Sequence, residues 1–304
     1  MTVIALPTRF TIGGSDAAAA AGIDPHKSRV MLWLEKTGRY TRPETEAMRW
    51  GTLLQPVIFE ELRERGFDPR PWPDVGLLDP QRPWLSGHPD GAIAPESGHG
   101  MGDLLEVKTV NQWAKREWNG EPPLAYVAQV QHYLHLTGLD RGLLAVLVGG
   151  QRLETYEIER HQHAIDRLLE REEEFYGSLV RDEPPPPDSS ESAREAVAAM
   201  FPAHAPGRAM RLDGTQMRRL RELRARREQR DTIDAQVCGL ENELKVAMGD
   251  AEMALSPRDD PVLRWKTVET TRLAKGSIDR LRKEWPQVYA QLATTTTTRK
   301  FEVL

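Results

Sequence analysis

This sequence predicts an α/β domain followed by a mainly helical one, on three observations. Strand-like and helix-like patterns alternate through the first 180 or so residues, as expected of α/β architecture. The stretch "RDEPPPPDSSES" (181–192) then interrupts them with four consecutive prolines, which cannot continue a helix and favour an extended spacer. Beyond it, residues 213–249 place Leu223, Ile233, Val237, Leu240, Leu244 and Ala247 mostly at three-and-four spacing. That is the period of a long amphipathic helix or short coiled coil. The expected division is 1–183, a linker 184–192, and an accessory domain 193–304.

Each element has its own local signal. Residues 16–21 and 28–37 read as short helices, the second opening at Ser28 and closing at Gly38. "TEAMRWGTLLQPVIFEELRERG" (45–66) has a capping start and apolar residues at Met48, Leu53, Val57, Ile58 and Leu62, with Pro56 expected to bend or interrupt the helix. Strand-like segments follow at 75–79, 84–86, 91–94 and 103–110, the last two joined through "PESGHGMG" (95–102). A helix over 123–138 ends at Gly138, and "GLLAVLVGG" with "QRLETYEIER" forms a hairpin through Gly149-Gly150. Residues 161–180 form a charged helix. In the tail, "VLRWKTVETT" is strand-like, "GSIDRLRKEWPQVYAQL" helical, and a threonine run precedes "TRKFEVL".

Composition narrows the chemistry. The 304 residues suffice for one large or two ordinary domains. Net charge is −5, so no global basic field advertises nucleic acid, although a local patch still could. Cys238 is the single cysteine, which excludes an internal disulfide, a cysteine zinc cage and a four-cysteine iron–sulfur cluster. No apolar run approaches a membrane span, and Met1–Phe10 lacks the apolar core of a signal peptide, so a cytoplasmic protein is expected.

Within "LLEVKTV" (104–110), Glu106 and Lys108 interrupt an otherwise apolar strand. Side chains alternate along a strand, so the two point the same way with Cα atoms about 6.5 Å apart. Such a pair is either a solvated sheet face or a site. Sixteen residues earlier, "WLSGHPDGAI" carries Asp90 between Pro89 and Gly91, at an expected kink or turn. If 84–94 pairs with 103–110, Asp90 and Glu106 converge at one end of the hairpin. Two such carboxylates make a hard oxygen site for Mg²⁺ or Mn²⁺, and Lys108 beside them suits phosphodiester hydrolysis.

The short pattern PD…ExK is weak alone, but much more of the chain carries a likeness. "IGGSDAAAAAG" (12–22), "LWLEKTGR" (32–39), "EAMRWGTLLQPVIFEEL" (46–62), "WLSGHPDGAI" (84–93), "LLEVKT" (104–109), "YVAQVQHYLHLTGLDRGLLAVLVGG" (126–150) and "YEIER" (156–160) occur in a characteristic order. Together they resemble the YqaJ-type viral recombinases, relatives of lambda exonuclease in the PD-(D/E)xK nuclease superfamily. The resemblance implies a PD-(D/E)xK core, a mixed sheet flanked by helices. It implies a Mg²⁺- or Mn²⁺-dependent DNA exonuclease, resecting linear duplexes from the 5′ end for phage-type recombination.

By matching position, Asp90, Glu106 and the backbone carbonyl of Val107 are implied metal ligands. Lys108 is implied to activate water, and Gln129 to support the site, with Gln131 and Tyr126 as lesser candidates. On a helix Gln131 lies about 200° from Gln129, so the two cannot face the metal equally. Gln55 departs from the family's usual Glu, and a neutral amide is a poorer ligand for a hard cation. Glu60 and Glu61 lie on the same expected helix as awkward substitutes. Arg9, Ser15 and the glycine amides of "RFTIGGSD" (9–16) are implied to hold a terminal 5′-phosphate. The plainer reading is a helix cap at Ser15 or Asp16, and the two are compatible.

Other features point less far. His88 is a candidate DNA contact or a turn filler. "HQH" (161–163) reads as surface histidines. Trp113 and Trp118, with Lys115 and Arg116, suit base stacking or core packing. "MRRLRELRARREQR" (217–230) carries seven arginines, by default a solvated face. The expected partners are double-stranded DNA ends, a single-strand annealing protein and further copies of the chain. The rival functions are a structure-specific or restriction-like endonuclease, and a catalytically weakened DNA-end-binding or scaffold protein.

Overall fold

The computed structural model describes residues 10–95, 102–116, 118, 120–272, 274, 276–294 and 299–303. Arg9, most of the expected 95–102 turn and most of the threonine run lie outside the described residues. One compact unit extends to Phe201 and a second begins at Pro202.

The first unit is built on a five-stranded mixed sheet in the order β1-β4-β5-β6-β7. Its strands are β1 (Pro69–Pro71), β4 (Gly91–Ile93), β5 (Asp103–Val110), β6 (Arg141–Val148) and β7 (Arg152–Glu159). β4 and β5 are antiparallel with Gly91 opposite Leu105, whereas β5 and β6 run parallel with Glu106 opposite Leu144. A small second sheet pairs β2 (Leu77–Leu78) with β3 (Ser86–Gly87). The expected α/β class and the 142–160 hairpin are both present. β1 was not foreseen, because Pro69 and Pro71 argue against a strand. It occupies the sheet edge, where a missing N–H costs no ladder bond.

Helices cover both faces of the sheet. α3 (Glu46–Glu64) packs Ile58, Phe59 and Leu62 against Ile93, Leu105, Leu143 and Ala145. α5 (Leu124–Thr137) packs Val130, Tyr133 and Leu134 on the other face, against Leu104, Leu144 and Val146. A further core joins α1 (Gly14–Ala21), α2 (Arg29–Lys36), α6 (Gln162–Arg181) and α7 (Glu191–Met200) around Ile12 and Leu85. α3 runs through Pro56 without a break, so the interruption that was one of the two expected outcomes does not occur. Pro56 is exposed, so water can take the carbonyl that its missing N–H leaves free.

Two boundaries also move, and one short helix is added. α1 begins at Gly14, with Gly13 as N-cap; Asp16 Oδ2 reaches back to accept from the Gly13 N–H at 3.0 Å, and neither Ser15 nor Asp16 is the cap. Short α4 (Gln112–Arg116) follows β5 directly. α7 belongs to the first unit rather than to a linker and accessory domain: Ala193 and Ala196 are buried beside α2, and the Ser28 N–H donates to Ser192 Oγ at 3.0 Å.

In the second unit, α8 (Gly214–Met248) is the expected long helix, capped by Asp213, which accepts from the Gln216 N–H. β8 (Met253–Leu255) and β9 (Pro261–Arg264) form a hairpin of which only the second strand was expected. The expected single helix over 276–292 is two, α9 (Ser277–Glu284) and α10 (Pro286–Leu292), because Pro286 starts a new helix at its first position. No helix among the described residues is long and apolar enough to cross a membrane.

Candidate active site

The site lies where pairing between β4 and β5 ends. Gly91 opposite Leu105 is the last ladder pair, so continuing the register sets Asp90 against Glu106. Past that point the open edge of β5 is taken by a side chain: the Val107 N–H donates to Asp90 Oδ2 at 2.8 Å. A strand residue sends its N–H and C=O to the same side, so the Val107 carbonyl also faces this edge. Gly91 is glycine for want of space, not for a left-handed backbone. A Cβ there would stand 2.5 Å from the Arg70 carbonyl oxygen and 3.0 Å from the Phe59 ring.

The two carboxylates are held from opposite helical layers. From α3, Gln55 Nε2 donates to Asp90 Oδ1 at 2.9 Å. From α5, Gln129 Nε2 donates to Glu106 Oε1 at 2.6 Å, and Lys108 Nζ donates to the same oxygen at 2.6 Å. Lys108 Nζ also lies 5.6 Å from the centroid of the Tyr126 ring. Glu106 is buried, and its Oε2 has no hydrogen-bond partner. An ionised oxygen in that state is costly unless a cation answers it.

The electrostatics agree. Burial pushes the Glu106 carboxyl up to about 7; Lys108 opposes the rise and the Asp90 charge adds to it. Burial also raises Asp90, outweighing the Val107 N–H and the charge of Lys108. Burial would lower Lys108, but the charge and hydrogen bond of Glu106 more than reverse it, and its pKa is raised. Two carboxylates that resist ionising, around an unanswered oxygen, fit a hard divalent cation. Asp90, Glu106 and the Val107 carbonyl are the groups that could hold one. Among the described residues, no group of three His, Cys, Asp or Glu side chains gathers to hold a metal. The side chain that meets Asp90 is the amide of Gln55. Glu60 and Glu61 are instead engaged with Arg63 and Arg65.

Ser15 and His88, both exposed, line one pocket of about 560 Å³ with Gly13, Gly14, Ser86, Gly87 and Tyr133. Arg9 lies outside the described residues. Part of the glycine pattern has a packing cause: a Cβ at Gly14 would come within 2.3 Å of the Tyr133 ring, and one at Gly87 within 3.0 Å. Tyr133 was not foreseen. It sits one turn after Gln129, with its hydroxyl 3.4 Å from Gln129 Nε2, so it borders both the pocket and the carboxylate site. The i,i+4 spacing from Gln129 was the available signal.

Gln131 is not part of the site. It is buried, donates from Nε2 to the Glu159 carbonyl at 2.6 Å, and accepts from the His161 N–H at 2.9 Å. One donor and one acceptor of its amide tie α5 to the end of β7, and its burial keeps it from the surface. His161 caps α6, its Nδ1 accepting from the Ala164 N–H. Trp118 packs edge-on to Tyr126, whereas Trp113 is 72% exposed beneath the Arg116 guanidinium.

Comparison with known proteins finds similarity over the part of the chain that carries these residues. Residues 8–140, which include Asp90, Glu106, Lys108 and Gln129, match the family model of the YqaJ-like viral recombinase domain. The uncharacterized protein YqaJ of Bacillus subtilis is 29% identical over 301 residues, covering 97% of this chain and 91% of that protein. Among solved structures, an alkaline exonuclease from Laribacter hongkongensis has a TM-score of 0.46 at 23% identity, covering 57% of this chain and 89% of the other. A phage-related exonuclease from Haemophilus somnus has a TM-score of 0.42 at 15% identity, covering 57% of this chain and 96% of the other. Over residues 8–140 this chain is therefore similar to the YqaJ-like viral recombinase domain, and over nearly its whole length to YqaJ of Bacillus subtilis.

Proposed function

We propose that this protein is a Mg²⁺- or Mn²⁺-dependent deoxyribonuclease that resects linear duplex DNA from its ends during phage-type recombination, with 5′-to-3′ polarity. The observation that carries this reading is the pair of carboxylates at the open edge of β5, Glu106 buried with a partnerless oxygen and Asp90 partly buried, both beside Lys108. Similarity to the YqaJ-like viral recombinase domain over residues 8–140 supports the recombination context. A divalent ion, when bound, neutralises phosphate oxygens and acidifies its water.

The chain's own groups do the rest. Asp90, Glu106 and the Val107 carbonyl would hold the ion. Gln55 and the Val107 N–H fix the Asp90 rotamer, and Gln129 fixes that of Glu106. Lys108 stays charged beside Glu106, where it orients the attacking water and stabilises negative charge developing on the phosphate. Gly13, Gly14 and Ser15 present the N-terminal end of α1 to the pocket shared with His88, a setting that suits a terminal phosphate. A phosphate pocket beside the carboxylates favours cutting from an end over cutting within a strand. We further propose that the protein acts in the cytoplasm of a bacterial or phage-infected cell, beside a single-strand annealing protein.

End-labelled linear DNA and covalently closed circular DNA, each incubated with protein and Mg²⁺, test the reading. Linear DNA should be degraded, circles should survive, and Lys108→Ala should release nothing. Equal attack on both substrates would support the endonuclease instead. A second reading, a weakened enzyme serving mainly as an end-binding protein, is favoured by Gln55 standing on Asp90 where the family usually has Glu. End binding with no metal-dependent release of nucleotides would select it.

A further inference from the structure

α8 spans 35 residues, about 52 Å at 1.5 Å per residue, and none of them is buried. Its apolar residues nevertheless keep a seam. Ile233, Val237, Leu240 and Leu244 fall at alternating four- and three-residue steps, continuing through Ala247, and these four are 48–61% exposed. Continued backwards, the same seam passes through Arg230, Arg226 and Leu223. A seam of this period is stable when a second helix covers it.

The charge along the helix says which helix fits. From Met217 to Arg230 there are seven arginines against two glutamates. From Asp231 to Met248 there are Asp231, Asp234, Glu241 and Glu243 against Lys245 alone. Within one chain the two halves meet at Arg230, which pairs with Asp231 at 2.6 Å and Asp234 at 3.8 Å. A parallel second copy would set arginines beside arginines and acids beside acids. An antiparallel copy sets each basic half along an acidic half.

We propose that α8 is an antiparallel self-association helix, joining two copies of this chain about the charge boundary near residue 231. In that register Leu223 faces Leu240 of the second copy, while Arg226 and Arg230 cross its Val237 and Ile233. The arginine stems cover apolar surface there, and their guanidinium groups reach the flanking acids. The seam is apolar where acids flank it and aliphatic-basic where arginines do, so each half is complementary to the other and not to itself.

Sedimentation of the full chain at tens of micromolar in physiological salt should give a dimer. Val237→Asp with Leu240→Asp should make it monomeric while leaving the melting of the first unit unchanged. Arg226→Glu with Arg230→Glu, and separately Glu241→Lys with Glu243→Lys, should each weaken the dimer at least tenfold, and mixing the two variants should restore association. For orientation, spin labels at position 217 in a Met217→Cys, Cys238→Ser chain should lie about 45 Å apart in the antiparallel pair. A monomeric wild-type chain, a dimer indifferent to the seam substitutions, or spin labels within about 20 Å would each overturn the proposal.

Discussion

At the scale of single residues, the site is a set of charges that the fold keeps from neutralising one another completely. Asp90→Asn and Glu106→Gln should each lower cleavage by roughly 10²–10³-fold or more, the range for removing an electrostatic stabiliser. DNA binding should be kept or improved, because each removes a negative charge from phosphate's path. Rate and affinity measured on one end-labelled duplex check both, and near wild-type cleavage by Asp90→Asn would place the site elsewhere. Gln55 gives a sharper prediction. Its amide now stabilises the Asp90 carboxylate at 2.9 Å. Gln55→Glu adds a third negative group beside two carboxylates that burial already holds above their usual range. Without metal the variant should melt several degrees lower. With Mg²⁺ it should gain more stability than wild type, and half-saturate at roughly tenfold lower Mg²⁺, since a hard ligand replaces a neutral one. Wild type should prefer Mn²⁺, which tolerates imperfect ligand sets better than Mg²⁺. Thermal shift and cleavage titrated against both metals read this; an unchanged Mg²⁺ curve would remove Gln55 from the ligand shell. Much of this was legible in the sequence, because alternation along one strand fixes Glu106 and Lys108 on one face whatever the rest of the chain does. The fate of Gln131 was not, since its partners, the Glu159 carbonyl and His161 N–H, are 28 and 30 residues away.

At the scale of elements, periodicity located the long helices and the β6–β7 hairpin, while short pieces escaped it. β1 has three residues, two of them proline, and α4 has five; neither is long enough to repeat its pattern twice. Long-range polar contacts were equally invisible, and His132 is the clearest case. Its ring is buried between layers, with Nδ1 2.7 Å from Glu172 of α6 and Nε2 2.8 Å from the Ser86 carbonyl of β3. Carboxylate and carbonyl are both acceptors, so the imidazole donates from both nitrogens and carries charge. Burial opposes that charge, but Glu172 outweighs it, with smaller help from Ser86 and the Asp16 carboxylate of α1, and the His132 pKa is raised. The sign of the linkage follows. The pair's contribution is full below about pH 6.5, the ordinary histidine value, and is lost as pH rises through the higher folded value. A His132→Gln, Glu172→Gln double variant keeps the volume and removes the titration. The melting-temperature advantage of wild type over this variant should therefore be largest near pH 6 and shrink steadily toward pH 9. A difference that is flat with pH would mean that the histidine is neutral in the folded protein.

At the scale of the whole molecule, the first compact unit does not stop where the prolines do. "EPPPP" reads as the end of a domain, and its residues do break α6, yet the chain returns to lay α7 against α2. The return was hidden because α7 buries little beyond Ser192, Ala193 and Ala196, small residues that carry almost no hydrophobic signal of their own. What they do is permit close approach: Ser192 Oγ accepts from the Ser28 N–H at the cap of α2, and Ala196 is fully buried in the core around Phe175 and Trp33. Ending the chain at Glu183 should therefore expose one side of α2 and leave the Ser28 N–H without that partner. Two buried alanines, their neighbours and a buried hydrogen bond together contribute on the order of 2 kcal/mol. In a unit of this size that is a drop of about 4–8 °C in melting temperature. A chain ending at Phe201 keeps all of these contacts, and so should melt as the first unit of the full protein does and retain the site chemistry of Asp90, Glu106 and Lys108. Differential scanning calorimetry of the two shortened chains beside the full one separates these outcomes. Equal melting of the 183 and 201 chains would show α7 to be dispensable, and would return the boundary to the proline run.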